Sequence, residues 1–419
     1  MTFSRRGLLL GTGATAAAAM LPQLTSRATA AEMPLATFVS MPDFLNADVA
    51  DVRDRPAWRP GMPNSINSSY RRAINIVLDE VEAENPDAVF VAGDLVQGHW
   101  GSDVDDTGIF GPVDTFAQQL RAVTNAGRCY YGQWRERFTE RGLTVYPAIG
   151  DHEVGDNPWF VGSFKYKAFP TFKAVWAEHF TLRGDGSHIY DLRPVGTNFE
   201  DTAYALKLTP TVALITVDVF SRTATGVHNT VSNGQVAWAE QTIGDLRAEG
   251  VQHIWFQGHV PCYVPVRLFA SSNLQMEDHA QSTFWQMLRR HEDVVDFYLS
   301  GEVHDMTCYT DGRLAQISHG SLVALGRENY LLIQVYVDRI ELTLKQFTGR
   351  VLDAVHRLWG VTNKRSPLTI EFDRGTKVVG TMTVANSGER FTNRTGYLTE
   401  GTSYEPSQSQ PSAPTGWVD

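Results

Sequence analysis

Short apolar runs alternate with segments of helical periodicity along most of this chain. Residues 35–40, Ala88–Ala92 and residues 144–149 are continuous apolar stretches of strand length, the pattern of strands buried on both faces. Residues 68–84 place Ala73, Ile74, Ile76, Val77 and Val81 at helical spacing. Residues 116–126 and 132–141 are predicted as two further helices. Residues 203–208 and 212–219 predict a strand pair, residues 235–249 an amphipathic helix, and His253–Gln257 and residues 294–299 two more strands. Residues 314–346 have β character, strongest at 331–337 and 340–344. Strands alternating with helices predict a partly parallel sheet covered by helices on both faces. The β-rich ending predicts a second packed sheet. Beyond Pro367, residues 368–372 and 377–384 predict a small β appendage (residues 367–399). Residues 400–419, rich in Ser, Gln, Pro and Thr, read as a disordered tail.

The first thirty residues fit none of these periods. Ser4-Arg5-Arg6-Gly7-Leu8-Leu9-Leu10 is a twin-arginine pattern, followed by an Ala/Gly-rich stretch and Ala28-Thr29-Ala30, a small-x-small cleavage signal. A spanning helix needs about 20 strongly apolar residues, and this stretch is diluted by Ala, Gly and Thr. The reading is a signal peptide (residues 1–30), handed to the twin-arginine export machinery, with no membrane anchor and a periplasmic or extracellular destination. That route carries folded proteins, which hints at a cofactor loaded before export.

Removing residues 1–30 takes away Arg5, Arg6 and Arg27 and no acid, so the formal charge moves from −11 to −14. No basic stripe is left to bind nucleic acid as a structural partner. Three cysteines, Cys129, Cys262 and Cys308, form no disulfide framework and leave either one bridge or three buried thiols.

Chemistry concentrates where strands end. Ser40-Met41-Pro42-Asp43, Gly93-Asp94, Gly150-Asp151-His152-Glu153, Gly258-His259 and Gly301-Glu302-Val303-His304 each follow an apolar run. Glycine or proline there lets the chain turn and aim the next side chain into a shared cleft. Each tip alone is commonly a plain turn or a structural histidine. Five in series, mixing carboxylates with imidazoles, suit Mn, Fe or Zn better than Ca, and a shared acid can hold two ions about 3.5–4 Å apart.

On these residues the chain resembles the calcineurin-like metallophosphoesterases, over residues 38–305. That family's motifs run Asp-x-His, Gly-Asp, Gly-Asn-His-Glu/Asp, Gly-His and Gly-His-x-His. The resemblance implies a two-sheet αββα sandwich (residues 31–366) holding two divalent or trivalent metal ions, Mn or Fe, with Zn as the alternative. It implies Asp94 as bridging and catalytic carboxylate, Asp151 in place of the metal-binding Asn, and His152 as the catalytic acid/base. His259 becomes a ligand of the second ion, Glu302 replaces the first His of the last motif, and His304 is retained. Gln235-Val236-Ala237-Trp238 resembles a structural helix of the family. The first motif departs most. Either register keeps only Asp43 as a ligand, with Asn46 or Asp48 as candidates to compensate and the soft thioether of Met41 as packing.

Asp43, Asp151 and Glu302 thus stand where the family has neutral ligands, an acid-rich set that favours hard cations such as Mn²⁺ or Fe³⁺ over Zn²⁺. The function implied is an exported, metal-dependent phosphoric ester hydrolase. It would cleave a small-molecule or nucleotide phosphate mono- or diester with a metal-bound hydroxide. The alternative is a secreted binding protein on the same scaffold with a degraded or single-metal site. Between the second and third motifs, Trp100, Tyr130, Tyr131 and Trp134 read as the core of an insertion, with stacking of a nucleobase or sugar as the alternative, the acids Asp103, Asp105 and Asp106 as a solvated loop, and His99 as a minor candidate for substrate contact.

Overall fold

The inner strands alternate between two apolar environments, and that alternation builds the layers. The computed structural model describes residues 32–43, 48–62, 64–66, 68–103, 107–263, 274–304, 306–320, 328–353 and 369–399. All its elements lie in the unit Pro34–Asp419. The segment read as a signal peptide, Asn46, Asp105, Asp106 and residues 400–419 fall outside the described residues.

In chain order the elements are β1 (Ala36–Ser40), α1 (Ser68–Ala83), β2 (Ala88–Ala92), α2 (Phe116–Glu140), β3 (Val145–Ala148), α3 (Phe164–Phe180), β4 (Tyr204–Lys207) and β5 (Val212–Thr216). Then come β6 (Phe220–Arg222), β7 (Val227–Asn229), α4 (Asn233–Ala248), β8 (His253–Gln257), α5 (Thr283–Arg290) and β9 (Val295–Ser300). The chain ends with β10 (Thr307–Asp311), β11 (Leu314–Ser318), β12 (Asn329–Val335), β13 (Arg339–Asp353), β14 (Thr369–Ala385) and β15 (Phe391–Gly396).

One sheet has seven strands in the order β15-β14-β13-β12-β1-β2-β3, and the other six in the order β10-β11-β9-β8-β5-β4. Phe38, Phe90, Leu214, Trp255 and Phe297 belong to the apolar layer between the sheets. Their neighbours Val39, Val89, Val91, Ile215 and Phe256 belong to the layer shared with the helices. Because side chains alternate along a strand, the result is helix, sheet, sheet, helix. Trp255 locks the inner layer, meeting Phe38 edge-on at 5.3 Å and Phe90 at 6.1 Å between ring centroids.

β1, β2 and β3 are mutually parallel, as are β5, β8, β9 and β11. Parallel strands end on the same side, so the tips after β1, β2, β3, β8 and β9 collect at one rim, the usual place for a ligand site in such sheets.

Two expectations need correcting. Phe116–Glu140 form one helix of 25 residues rather than two. Gly127, which weakens the helical pattern, is required for packing: a Cβ there would lie 2.7 Å from a Val175 methyl of α3. The described part of the first run, from Thr369, and the run at 377–384 are parts of the single strand β14, which pairs with β13 and extends the seven-stranded sheet. Arg390, in the turn before β15, pairs with buried Asp296 of β9 and fastens this edge to the other sheet. All three cysteines are buried free thiols. Among the described residues no helix is long and apolar enough to cross a membrane.

Candidate metal centre

The rim gathers four carboxylates and an imidazole with almost no exposure. Asp43, Asp94, Asp151, His259 and Glu302 are all buried. Three of the tips bend sharply to do this: Asp43, Asp94, Glu302 and also His304 have positive φ, from 48° to 69°. Each such non-glycine residue costs about 1–3 kcal/mol, and such residues cluster at functional sites. The tips also approach too closely for side chains between them. A Cβ on Gly150 would lie 2.2 Å from Asp94 Oδ1 and 2.6 Å from the Asp94 backbone nitrogen.

His259 is the hub. Its Nδ1–H donates to the Ala92 carbonyl at 2.7 Å, which turns Nε2 toward the acids. Nε2 lies 3.2 Å from Asp151 Oδ1, 3.2 Å from Glu302 Oε2 and 3.4 Å from Asp94 Oδ1. A ring nitrogen fixed by a backbone carbonyl, with the other facing carboxylates, is the usual arrangement of a metal-bound histidine. On the far side of Asp94, Asp43 Oδ1 accepts the Glu302 backbone N–H at 3.2 Å and lies 3.3 Å from His304 Nε2. Asp43, Asp94 and His259 form one ligand-sized group, and Asp151, His259 and Glu302 another.

The electrostatics call for cations. Burial, with the neighbouring charges of Asp151, Glu153 and Asp43, pushes the Asp94 carboxyl well above its ordinary range despite His259. Burial opposes a charge on His259, yet Asp94, Asp151, Glu302 and Asp43 outweigh it and hold its proton far more tightly than usual. Among the described residues the buried Asp43 Oδ2 has no hydrogen-bond partner, an arrangement that costs free energy unless something else binds there. A carboxylate-rich pocket with an orphaned oxygen fits metal ions, and the clustered acids and histidines fit a binuclear site.

His152 stands at the edge of this group. Its Nδ1–H donates to the Gln97 carbonyl at 2.7 Å, and its Nε2 lies 3.8 Å from Asp94 Oδ2. Burial lowers its proton affinity, but Asp151, Asp156 and the Gln97 carbonyl reverse this and the net shift is upward. The structure therefore brings Asp43, Asp94, Asp151, His152, His259, Glu302 and His304 to one rim.

Asp48, expected as a candidate ligand beside Asp43, is engaged elsewhere. Its carboxylate is occupied by the backbone N–H groups of Gln97 and Gly98 and by the Trp100 indole at 2.8 Å. It shapes the loop after β2 instead. Met41 is packed in the core, as are Trp100, Tyr130, Tyr131 and Trp134. Asp103 caps its own loop through Thr107 and Gly108. Gln235 brackets Asp218 with two hydrogen bonds to its backbone.

Two groups carry roles that the motifs did not disclose. Glu153 binds three backbone N–H groups, from Asp94, Leu95 and Gly150. Asn157 donates to Asp151 Oδ2 at 3.1 Å, steadying that carboxylate from behind. The acid or amide following a Gly-x-His tip was the available signal for the first; nothing local marked the second.

Among solved structures the chain is similar to PhoD, with 12% identity over 89% of this chain and 73% of that one and a TM-score of 0.52. It is also similar to a dimetal phosphatase from Danio rerio (14% identity, 74% and 95% covered, TM-score 0.42) and to the calcineurin-like phosphoesterase YfkN from Bacillus subtilis (10%, 81% and 90%, TM-score 0.34). No protein-family sequence model matches the chain, and neither does any curated protein sequence. The likeness is one of fold: this is an α/β two-sheet sandwich similar to that of PhoD.

Proposed function

We propose that the protein is a metal-dependent phosphoesterase that hydrolyses a small-molecule or nucleotide phosphate mono- or diester. The observation that supports this most is the convergence of Asp94, Asp151 and Glu302 on His259 Nε2, with His152 beside Asp94. Asp43, Asp94 and His304 would hold one ion, and Asp94, Asp151, His259 and Glu302 the other. Bound there, the ions would supply Lewis acidity, neutralising phosphoryl oxygens and easing the loss of a proton from water.

The chain's own residues do the rest. The Gln97 carbonyl fixes the His152 ring, so that Nε2 carries the exchangeable proton. The upward shift of His152 favours its charged form near neutral pH. It can then protonate the departing alcohol oxygen, a role that contributes about 10²–10⁴-fold. The acid-rich set favours Mn or Fe over Zn. Arg5-Arg6 and the Ala28-Thr29-Ala30 signal support twin-arginine export to the periplasm or beyond.

The test is turnover of 4-nitrophenyl phosphate and bis(4-nitrophenyl) phosphate by Mn-loaded protein, repeated with Asp94→Asn and His152→Ala. Turnover lost in both variants supports the reading; none by the parent overturns it. The incomplete first motif favours a second reading, a binding protein with a single-metal or degraded site. Two equivalents of metal per chain exclude it, and none supports it.

A further inference from the structure

A cavity of about 300 Å³ opens between α3, the stretch before β4 and β6, and no metal-centre residue lines it. That volume is at the small end of the range for small-molecule sites. Phe169 and Lys173 of α3, Phe199, and Phe220 and Arg222 of β6 face into it. Aromatic walls with a few polar groups are the usual lining of a site for a small organic ligand.

The polar groups divide into committed and uncommitted ones. The buried acid Asp218 is fully engaged. Its Oδ2 accepts from Lys173 Nζ at 2.5 Å and from the Thr202 hydroxyl, and its Oδ1 accepts the Phe220 backbone N–H at 2.9 Å. Lys173 Nζ also donates to the Phe220 carbonyl at 2.9 Å, which commits two of its three hydrogens. Asp201, the acid in the lining, is turned toward His188, with Oδ1 3.5 Å from Nε2. What is left over donates. The Arg222 guanidinium lies 4.5 Å from the centre of the Tyr166 ring and pairs with no carboxylate among the described residues. The third hydrogen of Lys173 is the other such donor.

These donors and the rings are placed together by the backbone. Phe220 and Arg222 are two apart on a strand and project to the same side. Lys173 is bonded to the Phe220 backbone, so the two cations flank one ring. Lys173 Nζ stands 5.0 Å from the centre of the Phe169 ring and 4.9 Å from that of Phe199, which ties both rings to the same wall. Phe220 also adjoins the metal centre, its ring centre 6.3 Å from that of His259.

We propose that this cavity binds a small, flat aromatic acid, with its ring against Phe199 and Phe220 and its carboxylate on Arg222 and Lys173. Ring pairs gain more than the burial of their area alone, and charge-assisted hydrogen bonds to the carboxylate fix its orientation. The site is separate from the phosphoesterase reading, since none of the proposed metal ligands takes part in it.

The test is calorimetric titration of the metal-loaded protein with 2-naphthoate, 2-naphthylmethanol and octanoate. The alcohol keeps the ring without the charge, and octanoate keeps the charge without the ring. One naphthoate should bind per chain, about 10-fold or more tighter than the alcohol and about 2–10-fold tighter than octanoate. Arg222 is exposed, so Arg222→Gln leaves the core untouched. It should weaken naphthoate about 10-fold and leave the alcohol unchanged. Phe199→Leu keeps an apolar wall and should weaken both naphthyl compounds. Melting curves report that each variant is folded, and Arg222→Met replaces an Arg222→Gln protein that is not. Naphthoate that shows no saturable binding, or binds no better than its alcohol, overturns the proposal. So does binding that Arg222→Gln leaves unchanged but that a chelator abolishes, because the acid would then sit on the metal centre.

Discussion

The Glu153 carboxylate accepts the backbone N–H of Asp94 at 2.7 Å. The same carboxylate takes the N–H groups of Leu95 and Gly150, so one buried side chain fastens the tip of β2 to the tip of β3. Asp94 has φ of +63°, and three charge-assisted bonds help to hold that backbone. Glu153→Gln keeps the shape but turns an amide NH₂ against at least one backbone donor. The variant should lose about 1–3 kcal/mol of stability and about 10–100-fold in metal affinity, read by urea unfolding and by metal titration. Wild-type values for both would show that the clamp is dispensable.

Metal loading should release protons. In the metal-free chain His259 is held protonated by Asp94, Asp151, Glu302 and Asp43 against the cost of burial. The Asp94 carboxyl is also raised, by burial first. Both must be deprotonated to ligate. Because each is raised, the proton competes with the ion more strongly as pH falls, and apparent affinity should climb from about pH 6 to about pH 8. Calorimetry in buffers of different ionisation enthalpy counts the protons. Binding that releases none across this range would remove His259 from the ligand set.

The carboxylates of Asp151 and Glu302 beside His259 make a prediction about metal choice. Glu302 Oε2 lies 3.2 Å from His259 Nε2, close enough for both to share an ion. Replacing it with His introduces a neutral nitrogen donor, and Asp151→Asn removes a second charge. Softer nitrogen ligands and lower negative charge favour Zn²⁺ over Mn²⁺. Competition titrations should therefore show the Zn-to-Mn affinity ratio rising in Glu302→His and rising further in the double variant. A ratio that stays constant would mean that charge at these two positions does not set the preference.

Much of this arrangement is legible in the chain. A strand buried on both faces leaves a continuous apolar run, and a Gly-acid or Gly-His directly after it marks a tip; Gly93-Asp94 and Gly258-His259 carry that signal completely. What escapes local reading is contact made at long sequence distance. Asp48 looks like a spare ligand until its bonds to the Gln97 and Gly98 amides and the Trp100 indole are seen. His99 and Asp156 are 57 residues apart and meet only because β2 and β3 are neighbours. The reason for Gly127 within α2 lies in Val175, which leaves no room for a Cβ, in a helix with apolar residues on most sides and Pro170 within it. Such a segment shows no clear period to read.

His319 makes the last prediction, on stability against pH. It is fully buried after β11, with Nε2 3.0 Å from Ser40 Oγ and Nδ1 3.2 Å from Asn329 Oδ1. It thereby braces the strand end from which Asp43 projects. Its partners are neutral, and burial depresses it from an ordinary 6.5 to about 4, against weaker support from Asn329 and Asp43. Between those two values the unfolded chain takes up a proton that the folded chain refuses. Unfolding then binds protons, so stability rises with pH across the window. The contribution is fully present above the unfolded value and is lost as pH falls toward the folded one, to the extent of about 3 kcal/mol at about pH 4. His319→Gln keeps a donor and an acceptor but cannot titrate. Other groups also respond to acid, so the informative quantity is the difference between parent and variant in unfolding free energy. That difference should shrink or reverse on going from about pH 7 to about pH 4. A difference that holds constant over the interval would mean that His319 takes up its proton while still folded.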